Sequence, residues 1–260
     1  MTNAAQLPNR KQTMNKTVGL RYASKLDNQT SKQLIVDLMQ CIRTSSHSIE
    51  LIERVRAIDV WGAEILQRIP GEKFPRLRLQ LTAEEMNALK ESKVLTDDFC
   101  VTNELAKGIL PNGQPMTALE KLLYSVLWKN GDLGKEHHIV EGVYGHEQTK
   151  RTGKVFYEFG GYLSGRNSFI LDQHTLRCFA VRMSYSGDAL LQARQLETVD
   201  RSDEQQQRWI GRYMAYYDAL EKRFGDAASD FIYEVDRLFF GAGKLIKLGK
   251  TGSRYSRDEL

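Results

Sequence analysis

The chain has 260 residues, 41% of them hydrophobic and 27% charged, which excludes collagen-like, mucin-like and wholly disordered chains and leaves ample material for a buried core. Lys and Arg total 37 against 33 Asp and Glu, a formal net charge of +4 that permits a polyanionic partner without specifying one. Cys41, Cys100 and Cys178 are an odd number with no CxxC spacing, so they read as reduced thiols rather than as a disulfide framework or a metal site.

No run approaches the roughly 18 uncharged apolar residues of a membrane span. The first residues also lack the apolar core of a signal peptide. The terminal Arg257, Asp258, Glu259 and Leu260 resemble an endoplasmic-reticulum retention tetrapeptide, which without an entry signal reads as chance. The expected location is cytoplasmic, nucleoid-associated in a prokaryote, with no membrane partner.

Residues 1–28 carry Arg10, Lys11, Lys16, Arg21 and Lys25 against Asp27. They read as a basic flexible arm, with phosphate contact or a transit peptide as the other readings. Residues 29–116 form a helical N-terminal region. Leu34, Ile35, Leu38, Met39 and Ile42 make one helical stripe, and a second run extends from Ile49 to Ile69 until Pro70 and Gly71 end it. The alternation over 73–81 suits a short strand or an extended connection. Thr82 to Glu85 is a capping box that opens another helix. Glu104 and Lys107 after Asp97 and Asp98 faintly resemble a nuclease element, but without a strand context they read as helix surface.

Pro111, Gly113 and Pro115 mark a linker, and residues 117–243 follow as the expected catalytic region. Thr117 to Glu120 is a second capping box, after which Leu119, Leu122, Leu123, Val126 and Leu127 share a face; Trp128 reads as core. The turn from Lys129 to Gly134 reads equally as a helix C-cap or a phosphate contact. His137, His138, Glu141 and His146 read as a surface polar cluster rather than a metal site, because no specific ligand spacing is present. An apolar, aromatic helix follows at 154–163 and a buried helix at 176–183. Two long patterns then hold Trp209, Tyr213 and Tyr217, and Phe231, Val235 and Phe239, with Gly241 and Gly243 ending the latter. Residues 244–260 are a basic tail. The sum is an all-α fold with at most a minor β element.

The stretch from Gly153 to Phe179, GKVFYEFGGYLSGRNSFILDQHTLRCF, carries the chemistry. A lysine opens an apolar helix, and 18 residues later an aspartate follows an Ile-Leu pair and precedes Gln-His and a further apolar helix. This resembles the helix-hairpin-helix DNA glycosylases of the endonuclease III and 8-oxoguanine glycosylase kind. The resemblance implies a two-lobed helical fold, Lys154 as nucleophile or electrostatic aid and Asp172 as the essential acid. It also implies DNA contacts from Lys135, Lys150, Arg151, Gly153, Gln173, His174 and Arg177. A carboxylate near C1′ suits the positively charged transition state of N-glycosidic cleavage, and a lysine of lowered pKa suits attack on C1′. The partner would be double-stranded DNA with a flipped-out base, damaged or foreign, and catalysis would need no metal or cofactor.

The family's Leu-Pro-Gly-x-Gly hairpin is replaced by Glu147 to Gly153 (EQTKRTG), of which only Gly153 answers the pattern. Residue chemistry alone leaves Lys154 readable as a surface lysine and Asp172 as a helix N-cap. The alternatives are a non-catalytic DNA-binding module on the same scaffold and a helical protein-interaction protein.

Overall fold

The computed structural model describes residues 26–248 except 73, 74, 78, 147–152, 167, 168 and 201. The basic arm up to residue 25, Lys150, Arg151 and the tail beyond residue 248 therefore lie outside the described residues. The fold is all-α: α1 (Asn28–Thr44), α2 (Ser48–Arg56), α3 (Asp59–Gln67), α4 (Ala83–Glu91), α5 (Ala118–Asn130), α6 (Glu136–Tyr144), α7 (Lys154–Leu163), α8 (Gln173–Met183), α9 (Gly187–Arg194), α10 (Glu204–Phe224) and α11 (Ala228–Leu245). Among the described residues β pairing is limited to two isolated bridges, Leu95 with Val101 and Ile109 with Pro115. No described helix is long and apolar enough to cross a membrane.

The main core draws on both ends of the chain. Leu34, Ile35, Leu38 and Ile42 of α1, Leu51 and Val55 of α2 and Ile65 of α3 bury against Leu176 and Phe179 of α8, Tyr213 and Tyr217 of α10, and Val235, Leu238 and Phe239 of α11. A smaller cluster of Met86, Leu95, Val140 and Val143 joins the middle of the chain. The expected division at residue 117 is therefore not the division of the packing. Helices α1–α3 share a core with α8–α11, and residues 81–144 supply the satellite.

Helices α6 and α7 form a close hairpin. The Gly142 and Gly160 backbones meet, and a Cβ at Gly142 would come 3.0 Å from the Gly160 Cα. Val155 ties α7 to the main core, and the Leu163 carbonyl accepts the Leu81 N–H at 3.0 Å. Residues around Leu81 thus form an extended connection, not a strand.

Four expectations are corrected. The run 49–69 breaks at Ala57 and Ile58, where the chain turns so that the backbone of Gly62 lies against the Val55 carbonyl. Helix α9 forms over Gly187–Arg194 although its sequence carries no strong apolar period. Helix α11 continues through Gly241 and Gly243 to Leu245. Helix α5 forms as expected, with its Thr117–Glu120 capping box and Gly131 in the left-handed cap, yet none of its residues is buried. Leu122 is 61% exposed and Trp128 is 68% exposed, so Trp128 is not core.

These placements separate two kinds of apolar residue. Leu238→Ala, in the core, should cost about 2–5 kcal/mol of unfolding free energy. Leu122→Ser on α5 should change stability by less than about 0.5 kcal/mol. Denaturant unfolding of the two variants checks both values.

Candidate active site

Asp172 is the N-cap of α8. Its Oδ1 accepts the N–H groups of His174 and Thr175, each at 2.7 Å, and Thr175 Oγ1 returns the bond by accepting the Asp172 N–H at 3.1 Å. The capping reading of the sequence is therefore realised. The same residue also lines a cavity of about 290 Å³. Ile69, Ile170 and Phe240 supply apolar wall, and Tyr162 and Tyr233 supply aromatic faces. The cavity thus combines apolar and aromatic walls with a few converging polar groups, the usual character of a small-ligand site.

A second carboxyl, Asp236 of α11, lines the same cavity. Its Oδ1 accepts from the hydroxyls of Tyr213 and Tyr217, each at 3.3 Å. The Ile170 backbone N–H also favours the charged form of this carboxyl. Burial pushes Asp172 up to about 6, against the pull of the cap N–H groups and Arg177. Burial, aided by the negative charge of Asp172, raises Asp236 further, to about 8, against its tyrosine and backbone donors. Two neighbouring desolvated carboxyls cannot both ionise easily, so the pair holds a proton across the neutral range.

Arg237 borders the cavity but is turned to the fold. Its Nη1 makes a bidentate bond to Glu234 at 2.8 and 2.9 Å, and its Nη2 donates to the Ile69 carbonyl at 2.6 Å. Its buried Nε–H has no hydrogen-bond partner among the described residues.

The expected site residues distribute unevenly. Asp172 reaches the cavity; Lys154 is not among the residues that line it. Lys154 opens α7 with its Nζ 5.7 Å from the centre of the Tyr157 ring. Tyr162, the α7 residue at the cavity, lies eight positions further on, about 12 Å along the helix. Gly153 caps α7 in the left-handed region (φ +76°), and a side chain there would overlap the buried His138 ring. Gln173 begins α8 and is partly buried.

Arg177 is no phosphate contact. It is fully buried, its Nη1 donates to Gly243 O at 2.8 Å and to His174 Nδ1 at 2.7 Å, and its Nη2 donates to Leu196 O. His174 is a neutral ring, pushed down to about 3 by burial and then by Arg177, and it buttresses Phe240 edge-on at 5.1 Å. Neither is available to DNA as a cation. Lys135 pairs with Asp132 and lies 5.4 Å over the Phe156 ring, with its side chain 45% exposed. His138 is buried beside Glu141 rather than on the surface, and among the described residues no group of three His, Cys, Asp or Glu could hold a metal.

Asp236, Tyr162, Tyr233 and Phe240 join the site without any motif that marks them in the sequence. Tyr233, Asp236, Arg237 and Phe240 fall at i, i+3, i+4 and i+7, so they share one face of α11. An aspartate on that face, between Val235 and Leu238, was the available signal.

The pair also sets a pH dependence of stability. A raised carboxyl pKa means that the folded chain holds the proton more tightly than the unfolded chain, whose value is near 3.8. The resulting stability is present at low pH and is lost as pH rises through about 8. Asp236→Asn should therefore match the parent at pH 4 and exceed it at pH 8.5 by about 1–3 kcal/mol. Calorimetry at the two pH values checks this.

Comparison with protein-family models, curated proteins and solved structures finds no match for this chain.

Proposed function

We propose that this protein hydrolyses N-glycosidic bonds in DNA, releasing a damaged or modified base, with Asp172 as the carboxylate that acts at the sugar. One observation carries the reading. The aspartate picked out by its sequence context caps α8 at the wall of an open, aromatic-sided cavity. The resemblance to helix-hairpin-helix glycosylases supports it, as does the close α6–α7 hairpin that precedes Asp172.

In this reading a flipped-out base enters the cavity and lies against Tyr162, Tyr233 and Phe240. The ionised Asp172 stabilises the positive charge that develops on the sugar and takes a proton from the attacking water. Lys154 has no place at the cavity wall, which favours hydrolysis over a covalent sugar-lysine route. Repair and defence against modified foreign DNA remain the two settings for such a reaction, both in a compartment that holds DNA.

A helical protein-interaction role has one observation in its favour, the exposed apolar face of α5. It predicts no salt-dependent binding to generic duplex DNA, whereas a phosphate-contacting enzyme must show it.

The test is a panel of duplexes carrying uracil, 8-oxoguanine, 5-hydroxymethylcytosine and other altered bases, assayed for free base and for borohydride-trapped adduct. Base release without trapping is expected. Asp172→Asn should reduce release by about 10²–10⁴-fold, while Lys154→Ala stays within a few-fold of the parent. A trapped adduct that disappears in Lys154→Ala would restore the lysine route. Salt-sensitive duplex binding without release would favour a non-catalytic DNA-binding module.

A further inference from the structure

Asp236 is a partly buried carboxyl at the cavity wall for which the reaction above has given no task. It shares the cavity with Asp172, and it makes no ion pair among the described residues. The nearest cation in sequence, Arg237, is committed to Glu234 and the Ile69 carbonyl. A desolvated carboxyl that accepts from two tyrosine hydroxyls, without a cation, is a costly element unless it does chemistry. Hydrolysis of an N-glycosidic bond also leaves a specific need unmet. A neutral base departs poorly as an anion and departs well once protonated.

We infer that Asp236 is the acid that protonates the departing base, working in the same cavity as Asp172. The inference rests on the base-excision reading and extends it to a substrate class, bases that are neutral while attached and need a proton to leave. As the C1′–N bond breaks, its electron pair goes to the base. The O–H bond of Asp236 breaks, and its proton goes to a base nitrogen or carbonyl oxygen. Water forms the new C1′–O bond and gives a proton to Asp172. The products are a neutral free base and an abasic sugar. Asp172 then loses a proton to solvent and Asp236 regains one, which resets the site.

The surroundings suit this division. Asp172 faces Asp236 from the start of α8, Tyr213 and Tyr217 from α10, Tyr162 from α7, and Tyr233 and Arg237 from its own helix, with Arg76 near Tyr233 and Tyr162. The one carboxylate in this set that acts on Asp236 is Asp172, and its charge keeps the Asp236 proton in place. Between about pH 6 and about pH 8 the pair therefore holds one charge and one proton, the state that the reaction requires.

The experiment measures single-turnover rates from pH 5 to 9.5 on each duplex of the panel that the parent protein processes, together with duplex affinity and melting temperature. The parent rate should rise through about pH 6 and fall beyond about pH 8. Asp236→Asn should lower the rate at pH 7 by about 10²–10⁴-fold, abolish the alkaline fall and leave affinity within a few-fold. Asp236→Glu, which keeps an acid at this position, should recover part of the rate and the alkaline limb. A purely structural role predicts the reverse order, because the larger side chain disturbs the cavity more than the amide does. An Asp236→Asn variant with the parent's rate or an unchanged alkaline limb overturns this inference and leaves base excision standing. Release from no duplex overturns both.

Discussion

The close contact of α11 with α8 is the constraint on which the site depends. A Cβ at Gly243 would overlap the backbone carbonyl of His174, so only glycine lets the two helices approach this closely. Two buried arginines then hold the end of α11. Arg177 Nη1 donates to Gly243 O at 2.8 Å, and Arg194 Nε donates to Ile246 O at 3.0 Å. The last carbonyls of a helix have no partner within it, and a buried end needs donors from elsewhere. Arg194 also reaches Leu26 O and Asn28 Oδ1, which fastens the start of α1 to the same place. With α11 fixed against α8, the carboxyl that caps α8 and the carboxyl two turns before Gly243 open into one cavity.

That arrangement has an energetic consequence. The site opens at the edge of the main core, with Ile69 at its wall, Pro75 and Leu77 at its border, and Tyr213, Tyr217 and Phe169 packed behind Asp236. Phe169 stacks on Tyr217 at 4.2 Å, and Tyr213 meets it edge-on at 5.2 Å, so the groups that orient Asp236 are themselves held by packing. Rigid placement of a reacting group is what catalysis needs, and burying carboxyls is what stability opposes. The fold meets that opposition with packing from α7, α8 and α11 at the cavity and α10 behind Asp236.

Much of this was legible in the sequence, and the remainder was hidden for physical reasons. Thr82, Thr117 and Asp172 announce helix starts through local hydrogen bonding, which depends on a few neighbouring residues. The bounds of α7 and the body of α8 follow from apolar period. An interval of 18 residues between Lys154 and Asp172 fixes their order but not whether both reach one cavity, since the intervening connection sets their final separation. Arg177 read as a phosphate ligand because an arginine's burial depends on carbonyls 19 and 66 residues away. Nothing next to Asp236 in the sequence marks it as paired, because its aromatic partners come from α7 and α10. The α5 stripe shows the converse. Periodicity gives a face, but what covers that face is a tertiary fact.

The most direct test of the account is a carboxyl NMR titration of the protein labelled with 13C at aspartate, in the parent and in Asp172→Asn. The account predicts two aspartates that titrate well above the ordinary range, Asp236 last, and a fall in the Asp236 midpoint once the Asp172 charge is gone. Two carboxyls titrating near the ordinary aspartate value of 3.8, or an Asp236 midpoint indifferent to Asp172, would contradict a shared, desolvated site.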